Sequence, residues 1–282
     1  THPTNHLPSS RPPPHPSSRL SILKFGPPGG GDDIIHRRSY VASYNRRLRN
    51  PNWVCEHLKK DKLSEISANR TNSEFKEDPV IPAKFRAKLA DYYHSGYDRG
   101  HLAPAADARY DQKAMDETFF LTNISPQVGE GFNRAYWARL ESYCRHLTKK
   151  YDNVYVITGP AYLPKKGKDG KYFVKYQVLG TPPILAVPTH FFKTILVEKG
   201  KGRFATASFL IPNAPIEQNV PLEKFKAKTE FLEEATGLTF WPSLRNDYTP
   251  SPQGMVGQTK KREISDLCSE ASCSLPPPFS EK

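Results

Sequence analysis

Apolar residues recur at Phe132, Tyr136, Leu140, Tyr143, Cys144 and Leu147. Steps of three or four put them on one stripe, so the pattern predicts an amphipathic helix over 132–150. Lys149 and Lys150 place positive charge at its end, where the helix dipole favours it. Elsewhere the chain shows short runs rich in Val, Ile, Tyr and Phe. Residues 39–44 and 53–58 read as two strands joined by an Arg/Asn-rich turn, and 154–158, 172–179, 190–197 and 205–211 as four more. Gly159-Pro160, Lys168-Asp169-Gly170, Thr181-Pro182-Pro183 and Gly200-Lys201-Gly202 mark the turns, and Pro79 and Pro82 break up the polar stretch 59–97. Residues 112–120 have room for one or two helical turns before a short strand at 119–124. A second helix is predicted over 229–236, with Gly237 placed to end it. Strands, a long helix, more strands and a late helix, without regular strand–helix–strand alternation, give an α+β domain on a mainly antiparallel sheet.

The two ends have a different texture. Residues 1–31 are rich in Pro, Ser and Gly and read as a flexible arm. Gly29-Gly30-Gly31 lacks both a preceding strand and a GK[ST] ending, so it reads as linker. One domain over 32–245 follows, and then a polar, Pro-rich extension over 246–282. Cys268 and Cys273 lie there with four residues between them. Nothing nearby completes a four-ligand zinc site, so the extension reads as a loose tail with two thiols or one local disulfide. Cys55 and Cys144, in apolar stretches, read as buried thiols. No run of 18 apolar residues is present, so no transmembrane helix is expected.

Charge narrows the partners. The sequence has 41 Lys+Arg against 29 Asp+Glu, a net +12. Such a balance fits nucleic acid or an anionic membrane surface, against a competing reading in which it only maintains solubility. As an expectation, Lys165, Lys166, Lys168 and Lys171 in one charged turn track a phosphate backbone.

There is no G-x-S-x-G elbow, no H-E-x-x-H and no Walker-type loop. Two N-x-S/T matches, at Asn69 and Asn123, matter only in a secreted protein. What stands out is Asp98-Arg99-Gly100-His101, four consecutive positions that are costly to bury unless they pair or act. On the helix that follows, Asn133, Trp137 and Glu141 recur at i, i+4 and i+8, within about 80° of one another. Asn133 and Glu141 are separated by a rise of roughly 12 Å, too far to ligate one ion together. Glu141 is then better placed to hold a water of the ion's shell. Mg²⁺ suits such a site because it keeps several waters and takes few protein ligands. Neutral His101 beside it would accept a proton from water attacking phosphorus, with Arg99 assisting and Gly100 allowing close backbone approach. Asp98 takes a supporting role. The bland alternatives are a core histidine for His101, a helix cap for Asn133, and a surface pair with Arg145 for Glu141. Trp137 and His190 read as structural.

Together with Thr122-Asn123-Ile124-Ser125-Pro126-Gln127, Trp137-Ala138-Arg139-Leu140-Glu141 and stretches at 154–160, 187–193 and 211–215, these motifs resemble the DNA/RNA non-specific endonuclease family. The resemblance covers roughly residues 25–240. It implies a ββα-metal (His-Me finger) nuclease, its mainly antiparallel central sheet flanked by helices. It also implies His101 as general base, Asn133 as sole direct protein ligand of Mg²⁺ (Mn²⁺ being the alternative), Arg99 on the transition state, and Glu141 and Asn123 supporting the water shell and the base. Cleavage of double- and single-stranded DNA and of RNA to 5′-phosphate products is implied. So are a homodimer and a mitochondrial residence, in the intermembrane space or at the inner membrane, with release toward the nucleus. One departure is visible: Ser73 stands where bacterial secreted relatives carry an Arg, with Arg70 the candidate substitute. The competing functions are a catalytically inactive nucleic-acid-binding protein of the same fold and, on charge alone, a basic structural protein at the inner membrane.

Overall fold

A computed structural model describes residues 21–29, 33–244 and 263–278. Its centre is a sheet in which strands β1 (Asp33–His36), β2 (Tyr40–Asn45), β3 (Asn50–Leu58), β6 (Val154–Ala161), β11 (His190–Glu198), β12 (Arg203–Pro212) and β13 (Lys226–Ala227) lie side by side in that order, every neighbour antiparallel. An eighth strand, β14 (Glu263–Asp266), runs parallel to β12 on the edge it shares with β13. A separate two-stranded ribbon of β4 (Asp98–His101) and β5 (Ile124–Gln127) carries the conspicuous tetrapeptide. Two further short pairs join β7 (Lys165–Lys166) to β8 (Tyr172–Phe173) and β9 (Val178–Leu179) to β10 (Leu185–Ala186). The main helices are α1 (Gln112–Thr118), α2 (Ala138–Leu147), α3 (Thr229–Thr236) and α4 (Leu267–Ala271).

Side-chain alternation along the strands gives the sheet two buried faces. Tyr40, Ala42, Val54, Val156, Phe191 and Ile195 face the α2 side, where Phe132, Tyr136, Trp137, Leu140 and Cys144 cover them. Val41, Trp53, Cys55, Tyr155, Ile157 and Phe192 face the other way, under Leu232 of α3 and Phe240. The central strands are apolar on both faces because a layer lies on each side. Cys55 and Cys144 are buried free thiols, as expected.

The helical stripe is where periodicity put it, with both ends altered. α2 stops at Leu147, where Thr148 turns back to donate its hydroxyl to the Arg145 carbonyl at 2.7 Å. Its approach, Gly129–Trp137, is a wide π-type turn in which the Asn133 N–H donates to Val128 five residues back at 2.9 Å. α3 ends at Gly237 in the left-handed region (φ 70°), matching the sequence reading. Residues 119–124 do not make one strand. Phe119 closes α1, a 3₁₀ turn spans Leu121–Asn123, and β5 begins at Ile124. Residues 172–179 likewise supply only β8 and the start of a second short pair. β8 finds just a two-residue partner, and no layer covers Tyr172, Phe173, Val174, Tyr176 or Val178, which stay exposed.

The terminal readings need larger correction. Within the predicted arm, Ile22 and Phe25 are buried in the second core, with the Phe25 ring edge-on to Tyr155 at 4.9 Å. Backbone bonds from Thr239 to Pro28 (2.7 Å) and from Ser243 to Phe25 (3.1 Å) fasten the segment. The rest of that arm, 1–20 and 30–31, lies outside the described residues. In the predicted tail, 263–278 is docked: Leu267 and Cys273 are buried in the main core, and Cys268 and Cys273 form a disulfide. The segment is held from α2 itself, since Arg139 donates to the Pro276 carbonyl at 2.7 Å and the Tyr143 hydroxyl lies 3.5 Å from Cys273 Sγ. Composition hid this because two buried anchors suffice in an otherwise polar stretch. Residues 245–262 and 279–282 lie outside the described residues. Among the described residues no helix is long and apolar enough to cross a membrane.

Closing a loop this short is worth about 2 kcal/mol in the chain-entropy account. The Cys268→Ser/Cys273→Ser variant is therefore expected to melt about 5 °C below the parent. Calorimetry with and without reductant checks this; equal melting of all samples would refute a stabilising clasp.

Candidate active site

Antiparallel pairing sets Asp98 opposite Gln127, Gly100 opposite Ser125 and His101 opposite Ile124. Alternation along β4 sends Arg99 and His101 to one side of the ribbon and Asp98 to the other. A Cβ at position 100 would fall 2.1–2.5 Å from the Gln127 side chain, so glycine is required there to let that amide cross the ribbon.

The helix meets this ribbon through Asp98. Asn133 Nδ2 donates to Asp98 Oδ2 at 2.9 Å, and Arg134 makes two bonds to the same carboxylate at 2.8 and 2.6 Å. The bonds from Arg134 and Asn133 hold Asp98 below the usual carboxylate range. A Cβ at Gly129 would sit 2.9 Å from both carboxylate oxygens, so the close approach depends on glycine there too. With its nitrogen spent on Asp98, Asn133 keeps Oδ1 without a protein donor among the described residues. It caps no helix end.

His101 is 8 % exposed and lies between two aromatic rings, Phe75 at 5.3 Å and Phe119 at 4.8 Å. Each ring carries an arginine: Arg99 Cζ is 4.5 Å from the Phe75 centroid and Arg70 Cζ is 5.3 Å from that of Phe119. Burial first, and then the Arg70 charge, push the imidazole down to about 3, so it is neutral at physiological pH. Its Nε2 is buried without a hydrogen-bond partner. The backbone after it is pinned by Asn123, whose carbonyl accepts from Leu102 N at 3.0 Å. The Asn123 side chain takes a bond from Ala103 N (2.9 Å) and donates to Ala103 O (2.9 Å) and Thr118 O (2.8 Å). Those three bonds leave one acceptor site on a completely buried amide. Its support for His101 therefore runs through the backbone.

Beneath α2 lies a layer of charge. Glu141 is partly buried, and burial pushes its carboxyl up to about 7 against the opposing pull of Lys193 and Arg145. Glu56 on β3 is buried and held well above the usual range, again by burial first. Arg145 does not pair with Glu141; it donates to Asp107 Oδ1 at 2.8 Å. Ser73, in the place of the missing arginine, turns to Asp116 at 2.6 Å.

Among the described residues no group of three or more His, Cys, Asp or Glu side chains could hold a metal ion. The donor set instead fits a hydrated hard cation. Asn133 Oδ1 is free, and Gln127, completely buried across the ribbon, has neither Oε1 nor Nε2 bonded within the protein. Both atoms are suited to water rather than to a bare ion.

His101 and Arg99 thus lie on β4, Asn123 pins the backbone just after His101, and Asp98 ties the same strand to Asn133, with Glu141 two helical turns beyond Asn133. Sequence reasoning missed Phe75, Phe119, Gln127, Asp107 and Glu56. Gln127 stood in a quoted motif, but only the strand register places its amide over Gly100.

Residues 19–247 match the family model for DNA/RNA non-specific endonucleases. The chain is 50% identical to Nuclease C1 of Cunninghamella echinulata var. echinulata, over 90% of this chain and 95% of that one. It is 48% identical to the mitochondrial nuclease of Saccharomyces cerevisiae (90% and 74%) and 45% identical to the mitochondrial endonuclease G of Homo sapiens (79% and 74%). The crystal structure of the EndoG/EndoGI complex superposes with a TM-score of 0.78 at 45% identity, covering 81% of this chain and 93% of that one. By fold, motif order and these matches, the chain belongs to the DNA/RNA non-specific endonuclease family and is a nuclease.

Proposed function

We propose that this enzyme hydrolyses phosphodiester bonds of double- and single-stranded DNA and of RNA, leaving 5′-phosphates, with His101 as general base and Mg²⁺ (or Mn²⁺) at Asn133. The observation that carries this reading is the buried and unpartnered Nε2 of a neutral His101, together with an Asn133 side chain whose one hydrogen bond among the described residues is to Asp98 on the same strand as His101. The two rings hold the imidazole, and Nε2 takes the proton of the attacking water. Arg99 and Arg70 flank it and meet the charge growing on the phosphoryl oxygens. Asp98 holds the Asn133 amide by its nitrogen, so that the oxygen would be left to hold the cation, while Glu141 and the unbonded Gln127 amide would bind water of its shell. The cation, when bound, supplies Lewis-acid stabilisation of the phosphoryl and leaving oxygens.

Two finer readings accompany the chemistry. Relatives named as mitochondrial nucleases support residence in mitochondria; the intermembrane space or inner membrane as its place there, with release toward the nucleus, is our own inference. A homodimer is supported by the exposed apolar strip of Tyr172, Phe173, Val174, Tyr176 and Val178. This strip runs into a cleft of about 500 Å³ lined by Arg46, Arg47, Phe85 and Tyr176. Aromatic and arginine side chains around an apolar patch are the usual make-up of protein interfaces.

Plasmid DNA and single-stranded RNA are both expected to be degraded with Mg²⁺ and spared with EDTA. His101→Ala should lose at least about 10²-fold in rate while still binding DNA. A His101→Ala protein as fast as the parent would remove the mechanism, and one that binds without any parental cleavage to compare would favour the inactive binding protein. In sedimentation, Tyr172→Asp/Val174→Asp should convert a dimer to a folded monomer; an unchanged sedimentation coefficient would place the interface elsewhere.

A further inference from the structure

One charge beneath α2 has no part in the scheme above. Lys193 lies in the middle of β11 and is 1 % exposed. Lysines are almost never buried so deeply without a paired carboxylate. Here the ammonium makes no ion pair among the described residues; it donates to Thr158 Oγ1 at 2.6 Å and lies 4.9 Å from the Trp137 ring centroid. Trp137 stands four residues after Asn133 and four before Glu141, on the helical stripe that carries the site. The buried cation therefore lies under that stripe, on the sheet face that also holds Glu56 and Thr158.

The charges acting on Glu141 are those of Lys193 on β11, Arg145 on α2, Asp107 on the turn Ala105–Ala108 and Arg70 on the turn Arg70–Asn72, and Glu141 in turn acts on Glu56 on β3. Arg145 is committed to Asp107, and Arg70 is exposed, so solvent screens its charge. Of the cations acting on Glu141, Lys193 is the buried one without a carboxylate of its own among the described residues.

We propose that Lys193 is a positioning residue for phosphodiester cleavage, its ammonium serving as the fixed counter-charge beneath α2 that keeps the Glu141 carboxylate ionised. This rests on the role given to Glu141 above. The residue works through Glu141 and does not touch the substrate. A buried charge kept only for stability would be an odd choice, since a well-packed apolar residue of similar size is often as good or better.

The test is Lys193→Met, nearly isosteric and uncharged, with Lys193→Gln as the second variant should the first not fold. Glu141 is titrated by carboxyl ¹³C NMR in the metal-free protein, with Glu141→Gln identifying its resonance. The parent midpoint is expected near 7, and the variant's about one unit higher. The acid limb of kcat/KM should follow, so that activity falls about five-fold at pH 7 and returns toward the parental value by pH 9, with KM for DNA unchanged. Such recovery at high pH is something a merely structural defect would not give. An unmoved Glu141 titration, or a loss that persists at pH 9, overturns the role of Lys193 alone. A Glu141→Gln enzyme as active as the parent overturns the reading of Glu141 and this inference with it.

Discussion

Asp98 Oδ2 accepts a 2.9 Å hydrogen bond from Asn133 Nδ2, joining a strand of the β4–β5 ribbon to the turn that opens into α2. Several independent features converge on that contact. Gly129 makes room for the carboxylate, Arg134 grips its other edge, and the π-type turn at Val128–Asn133 points the amide toward it. An amide has one donor side and one acceptor side, so fixing the nitrogen also fixes the direction of the oxygen. Asp98, the carboxylate that most resembles a metal ligand in the sequence, is occupied in holding the Asn133 amide and Arg134. Arg134 is largely exposed, so its ion pair adds little stability and mainly specifies geometry.

The same region holds its groups away from their ordinary protonation behaviour, and the causes differ. His101 is driven down by burial between Phe75 and Phe119 and by the Arg70 charge, which makes it a neutral proton acceptor without a carboxylate partner. Glu141 and Glu56 are driven up by burial, and Lys193 and Arg145 pull against that. The linkage follows from the signs. Depression of the imidazole favours the fold above the ordinary histidine value and is lost as pH falls toward about 3. The raised Glu141 works the other way: its contribution is complete below the ordinary carboxylate value and is lost as pH rises through about 7. A core carrying such charges is less stable than an apolar one would be, as functional sites commonly are.

The architecture was legible wherever side-chain periodicity carries the signal. The stripe from Phe132 to Leu147, strands β2, β3, β6, β11 and β12 of the central sheet and the stop at Gly237 follow from local pattern, whereas the edge strands β1, β13 and β14 do not. Local pattern failed where partners are remote. Ile22 and Phe25 look like linker until Tyr155 and Phe204 are brought beside them, and Leu267 and Cys273 look like tail until α2 receives them. Residues 172–179 have strand-like composition but no long partner strand. In the site, the chemistry-bearing residues of the DRGH stretch and the helix could be named from sequence and family pattern. Gln127, Phe75, Phe119 and the Glu56–Asp107 layer could not, because their meaning comes only from register and packing. The i+4 pairing of Glu141 with Arg145 was outcompeted by the deeper Asp107.

The central claim is that Asn133, oriented by Asp98, is the sole direct protein ligand of the catalytic cation. Crystals soaked in Mn²⁺ and measured at an anomalous wavelength test it most directly. The account predicts one peak at coordination distance from Asn133 Oδ1, with no protein oxygen besides in its inner shell and Asp98 still bonded to Asn133 Nδ2. A peak ligated by the Asp98 carboxylate, or one bound directly by Glu141, would contradict it.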